Sequence, residues 1–306
     1  MDSALTKKEM EPETDKDVRG KELLKLYIAF AGDEERVSNI LSEAEGAGIN
    51  VNYQNSDGWS PLHVAACKGH ANIIRLLHQA GAELAPRTKF GFTPLHWASY
   101  RGQRECVQLL LLLGAEIDAL YPNKWTALHW ASAKGRNDIA KLLIECGAET
   151  ELKCKKGLTA RDVSDEYNDE IREMFDKCRK QEGFGNKSQL LKNAMDTEKW
   201  EVATVLALNG ASEDKNIFNN LLYSSLHAAN VNVDCVFALM SKLGKDLSSI
   251  DKNFQMKLLS AASQRKNSYA VKILSAHLST TNVSESLKIH DSRKELEETV
   301  WSEFNH

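Results

Sequence analysis

The chain has 306 residues, with 39 basic against 43 acidic side chains, a net charge of −4, and 42% hydrophobic and 27% charged residues. That balance excludes a disordered or collagen-like chain and speaks against wholesale binding to nucleic acid. At about 100–200 residues per domain, the length fits two ordinary domains or one extended repeat array. The longest aliphatic run, Leu109 to Leu113, falls far short of the roughly 18 residues of a membrane span. Met1 to Gly20 holds no apolar stretch of the secretory kind. The expectation is an intracellular protein, cytoplasmic, nuclear or both, with no membrane contact. Six scattered cysteines without a C-x-x-C pair read as reduced thiols, so neither a metal site nor any other cofactor is expected.

In chain order, residues 1–20 carry six acids, four bases and one proline, the composition of a disordered tail. Residues 21–55 carry a helix pair that ends in Gly48-Ile-Asn-Val-Asn, expected to form a degenerate N-terminal capping repeat. Residues 56–186 hold the strongest signal. Gly-Trp-Ser-Pro-Leu-His-Val-Ala begins at Gly58, Gly-Phe-Thr-Pro-Leu-His-Trp-Ala at Gly91 and Lys-Trp-Thr-Ala-Leu-His-Trp-Ala at Lys124. Leu62, Leu95 and Leu128 lie 33 residues apart, as do His63, His96 and His129, and Gly81, Gly114 and Gly147. Such a fixed period marks a repeat architecture.

The chemistry of each position fits two short helices and a turn. Ser60, Thr93 and Thr126 are placed to cap a first helix, and Pro61 and Pro94 occupy its opening turn, where a missing N–H costs nothing. Ala65, Ala98 and Ala131 let paired helices approach, and the glycine after the second helix supplies a left-handed stop. A fourth, degenerate unit begins at Gly157-Leu-Thr-Ala, with Arg161-Asp162 in place of Leu-His. Residues 187–285 keep small residues at Ala194, Ala228 and Ala261, which suggests further degenerate helix pairs. Residues 286–306 place Leu296, Val300, Trp301 and Phe304 on one face, as a C-terminal capping helix would.

The T-P-L-H-x-A pattern and its period over Asn55 to Cys154 resemble the ankyrin-repeat family. The resemblance implies an all-α solenoid of stacked helix pairs with short hairpin loops. It also implies that the three histidines tie neighbouring loops together, and that a partner binds on a concave face of hairpin tips and first helices. Catalysis is not expected: no phosphate-cradling glycine loop, G-x-S-x-G or H-E-x-x-H occurs.

On that face the register places Trp59, Phe92 and Trp125 as an exposed aromatic ladder. Beside it run Lys68, Arg101 and Lys134 as a basic stripe, with Tyr100 in the same row and Lys89, Phe90, Lys155 and Lys156 at hairpin positions. Aromatic and arginine residues concentrate at interface hot spots. The expectation is a monomeric scaffold or adaptor that binds an acidic peptide or acidic surface of another protein. One alternative is a methyl-lysine reader, because Trp97 and Trp130 with Trp59, Phe92 and Trp125 resemble the aromatic cages of certain lysine methyltransferase ankyrin modules. Another is a separate effector activity in residues 188–306.

Overall fold

The computed structural model describes residues 32–47, 50–164, 169–180, 186–228, 232–245, 247, 252–264 and 267–281. The tail at 1–20 and the helix expected at 286–306 lie outside them. Among the described residues the regular structure is entirely helical. The chain divides into two compact units, Met1–Ile217 and Phe218–His306.

The first unit is an all-α solenoid built from repeated helix pairs. After α1 (Glu34–Ala47) come α2 (Pro61–Lys68) and α3 (Ala71–Gln79), α4 (Pro94–Arg101) and α5 (Arg104–Leu112), then α6 (Ala127–Ala133) and α7 (Asn137–Glu145). The first helices α2, α4 and α6 pack side by side, and α3, α5 and α7 form a second layer behind them. Each first helix opens with a reciprocal cap in which histidine replaces the usual Glu or Gln. The Ser60 Oγ accepts the His63 N–H at 3.3 Å, and His63 Nδ1 accepts the Ser60 N–H at 3.1 Å. Thr93 with His96 and Thr126 with His129 repeat the arrangement. Gly81, Gly114 and Gly147, at φ of 89°, 98° and 89°, end the second helices in the left-handed region.

Polar contacts stitch the second layer. Glu34 accepts from Asn72 at 2.7 Å, Asn72 from Arg75 at 2.5 Å, and the buried Arg75 reaches Glu105 at 3.5 Å. Farther on, Arg104 donates to the Asp138 carbonyl at 2.9 Å and Asn137 to Glu170 at 2.5 Å. Glu170 belongs to α8 (Asp169–Lys180), which packs beside α7 as the next second helix.

The unit that begins at Gly157 keeps the cap and loses the helix. Asp162 takes the histidine's place, its Oδ2 accepting the Thr159 N–H at 2.9 Å and hydroxyl at 2.8 Å. Residues 160–164 then form turns, and Arg161 grips Asp176 of α8 through two bonds of 3.0 and 3.1 Å.

Another helix pair follows α8 in the chain. Helices α9 (Lys187–Asp196) and α10 (Trp200–Leu206) lie against α5 and α7 as a third layer. Gln108 of α5 donates to Glu201 at 2.5 Å, Lys199 pairs with Glu145 of α7 at 2.7 Å, and the Asn209 amide donates to the Leu111 carbonyl at 3.3 Å. Leu206, Lys187 and Leu190 crowd the spot where a Cβ on Gly147 would stand, at 3.2, 3.6 and 3.8 Å. Apolar burial accounts for this placement: Leu191, Ala194, Val202, Ala203, Val205 and Leu206 are all withdrawn from solvent here.

The second unit contains most of α11 (Lys215–His227), then α12 (Val233–Leu243), α13 (Lys252–Gln264) and α14 (Ser268–Thr281). Asn232 caps α12 by accepting from Asp234 and Cys235. Asn267 accepts the Ala270 N–H at 3.0 Å and donates to Asp234 at 3.1 Å, joining the starts of two helices 33 residues apart.

Candidate functional site

Four hairpin loops project from the first unit: Asn55–Trp59, Thr88–Phe92, Tyr121–Trp125 and Cys154–Leu158. Each is closed by the first residue's N–H donating to the last residue's carbonyl at 2.8 to 3.0 Å. Neighbouring hairpins are linked by Lys89 N–H to Asp57 O at 2.8 Å and Lys155 N–H to Asn123 O at 2.9 Å. The middle link is missing because Pro122, 33 residues beyond Lys89, has no N–H. Its ring fills the space where a Cβ on Gly91 would stand, at a residue whose φ of 86° already favours glycine.

The aromatic ladder is not exposed. Trp59 and Phe92 keep only 2% and 1% of their surface, and Trp125 is half-buried. Trp97 and Trp130, projecting from α4 and α6, fill the gaps between hairpins. Ring centroids lie 4.7 Å apart for Trp59–Trp97, 4.9 Å for Phe92–Trp97, 5.3 Å for Phe92–Trp130 and 4.6 Å for Trp125–Trp130. The correction has a simple cause. An aromatic at each hairpin end meets a second aromatic four residues after the capping threonine, and the pair buries more apolar surface than either alone. Trp59 and Phe92 are therefore packing residues, and with Trp97 buried at 1% their ring faces form no open cage.

The histidines are committed to the same joints. Nδ1 accepts the N–H of the capping residue, so Nε2 carries the proton. It donates to the next hairpin: His63 to Phe92 O at 2.9 Å, His96 to Trp125 O at 3.3 Å and His129 to Leu158 O at 3.4 Å. Burial pushes His63 and His96 down to about 4 from an ordinary 6.5, against the smaller upward pull of the carbonyls they donate to. His129 is lowered for the same reason. These imidazoles are neutral and occupied, which removes them from acid–base work. Cys67, Cys106, Cys146, Cys154 and Cys235 are buried, and burial raises the Cys106 thiol to about 12 and the Cys146 thiol likewise upward. Among the described residues no group of three or more His, Cys, Asp or Glu gathers to hold a metal. None of the helices described is long and apolar enough to cross a membrane.

What does reach the surface is charge. Lys89, Lys155 and Lys156 are exposed at the tips, with Phe90 half-buried among them. Lys124 and Lys153, which the register did not single out, are exposed beside them. On the first helices Lys134 is exposed, Lys68 and Arg101 are half-buried, and Tyr100 is buried at 9%. Among the described residues Lys89, Lys124, Lys134, Lys153 and Lys155 are in no ion pair. Arg87 spends its guanidinium on carbonyls, Leu120 at 2.7 Å and Gly91 at 3.2 Å, and makes no ion pair among the described residues. Exposed acids (Glu83, Glu116, Glu149 and Glu151) sit ahead of the second, third and fourth hairpins, while the half-buried Asp57 lies in the first.

This geometry of paired helices, histidine joints and linked hairpins has a matching sequence record. A family model described as "Ankyrin repeats (3 copies)" covers residues 24–121, and one described as "Ankyrin repeat" covers residues 123–155. Residues 24–155 are ankyrin repeats. The chain is 44% identical over 55 residues, 17% of its length, to the human ankyrin repeat domain-containing protein SOWAHB. It is 36% identical over 61 residues, 20% of its length, to serine/threonine-protein kinase 12 of Arabidopsis thaliana. These matches span 7% and 12% of those proteins. Ankyrin repeats are a protein–protein interaction module, and the face just described is the part of this one that presents charge.

Proposed function

We propose that the hairpin tips and the ends of the first helices bind an acidic segment of another protein, and that the chain works as a monomeric, non-enzymatic scaffold or adaptor inside the cell. The observation that carries this reading is the row of lysines in successive repeats with no ion pair among the described residues: Lys89, Lys124, Lys134, Lys153 and Lys155. Charge of one sign on one face speeds encounter with an opposite surface and rejects like-charged partners. Lys68, Arg101 and Lys156 extend the row, while Phe90, Tyr100 and the half-buried Trp125 offer the apolar contact an anchor residue needs. Trp59 and Phe92 stay with the core. In the second unit the Asn267–Asp234 bond spans 33 residues, as Asn137–Glu170 does in the first, which supports reading residues 187–285 as degenerate ankyrin-like helix pairs.

The test is capture from a cell lysate by the full chain and by a Lys89→Glu, Lys134→Glu, Lys155→Glu variant whose circular dichroism is unchanged. Loss of a discrete set of proteins with acidic segments, and weaker capture at high salt, is the expected result. Equal capture by both chains overturns the proposal.

A further inference from the structure

We infer that an exposed aromatic row on the second unit is the docking site of the chain's own C-terminal segment, residues 295–306; this is independent of the lysine face of the first unit. The row begins on α11, where Asn219, Tyr223 and His227 stand four residues apart and so share one side of the helix. The Tyr223 and His227 rings stack with centroids 3.8 Å apart. Phe254 of α13 meets His227 edge to face at 4.6 Å. The imidazole is fixed, its Nδ1–H donating to the Tyr223 carbonyl at 2.7 Å. Yet Tyr223 leaves 65% of its surface in solvent, the most of any large hydrophobic residue described. A single exposed apolar side chain is ordinary, but three contiguous rings form a patch that favours a cover.

Cations close both ends of the row. Lys245 Nζ donates to Asn219 Oδ1 at 2.8 Å, and Lys257 Nζ donates to the Leu226 and Ala228 carbonyls, each at 3.0 Å. Both lysines are exposed, and neither is in an ion pair among the described residues.

The chain carries the complement of this row within the same unit. Residues 218–281 hold seven Lys or Arg against three Asp or Glu, whereas residues 295–306 hold four Glu and neither Lys nor Arg. In that segment Leu296, Val300, Trp301 and Phe304 alternate with Glu297, Glu298 and Glu303. Apolar side chains edged by anions match aromatic rings edged by cations. Fourteen residues lead from Thr281, the end of α14, to Glu295. They can span up to about 45 Å, enough to reach any face of a unit this size. So short a tether presents the segment at an effective concentration on the order of millimolar, which favours it over a separate acidic partner or a second copy of the chain. Docked there, it shields the row.

The experiment replaces Trp301 with photo-reactive benzoylphenylalanine in the full chain, irradiates a dilute solution and locates the cross-links by mass spectrometry. Cross-links within one chain to α11 and α13 around Tyr223, His227 and Phe254 are expected. Tyr223→Ala, with unchanged circular dichroism because that ring is exposed, should lose most of them. Glu297→Lys combined with Glu298→Lys should lose them as well, and high salt should reduce them in the parent chain. An undiminished yield in Tyr223→Ala, or cross-links that fall on the lysine-bearing hairpins of the first unit, overturns the assignment. Cross-links between two chains that grow with concentration overturn it in favour of a second copy. Absence of any cross-link from position 301 to the second unit overturns it outright.

Discussion

The His63 side chain reaches 29 residues along the chain to donate from Nε2 to the Phe92 carbonyl at 2.9 Å, while its Nδ1 accepts from the Ser60 backbone. One neutral imidazole thereby closes a helix cap and fastens the next hairpin. Protonation would place a donor against the Ser60 N–H, which burial already disfavours.

Stability should therefore depend on pH in a defined window. The folded pKa values of His63 and His96, about 4, lie below the unfolded value of about 6.5, so the unfolded chain binds more protons between those limits. Their contribution is complete above pH 6.5 and is lost as pH falls toward 4. Each should cost roughly 2 kcal/mol between pH 7 and pH 5, at about 1.4 kcal/mol per pH unit. Urea midpoints taken across that range should fall, and His96→Gln should flatten the curve. A midpoint unchanged down to pH 5 would contradict the buried neutral imidazoles.

The aromatic row should behave as core. Trp97→Ala removes a side chain that is 1% exposed and touches Trp59, Phe92 and Tyr100. A loss of about 3–5 kcal/mol is expected from denaturant unfolding. A loss under about 1 kcal/mol would mean that the rings are not packed as described.

Two buried hydroxyls are dispensable. Among the described residues Ser99 Oγ and Ser132 Oγ have no hydrogen-bond partner, and the equivalent residue one repeat earlier is Ala66. Ser99→Ala and Ser132→Ala should leave the thermal midpoint unchanged or raise it, by up to about 1 kcal/mol of stability. A clear drop would reveal a partner for the hydroxyl.

The third layer should protect the second. Leu206 is fully buried in α10, next to Gly147. Leu206→Ala is expected to cost about 2–5 kcal/mol. Hydrogen exchange should then speed up in α5 and α7 as well as in α9 and α10, because the four helices share one apolar interface. Faster exchange confined to α9 and α10 would show that the layers open independently.

The sequence by itself determined the period, the capped first helices and the glycine stops, each a local requirement met by residue type at fixed spacing. The loop-tying role of His63, His96 and His129 was what the ankyrin resemblance implied. Even Asp162, a departure from the pattern, was legible as a departure, and it proved to cap its turn through Thr159. Exposure was decided by the tertiary structure alone. Trp59 and Phe92 stand where a hairpin residue can face outward. They face inward because Trp97 and Trp130 from adjoining helices supply a surface that buries them. The place of α9 and α10 was likewise invisible to periodicity, which orders units along the chain. Apolar surface is buried wherever complementary surface exists, and here α5 and α7 provide it. The folding of Arg136 over Gly102 belongs to the same class, since a one-dimensional register cannot show which side chain of the next repeat covers a glycine.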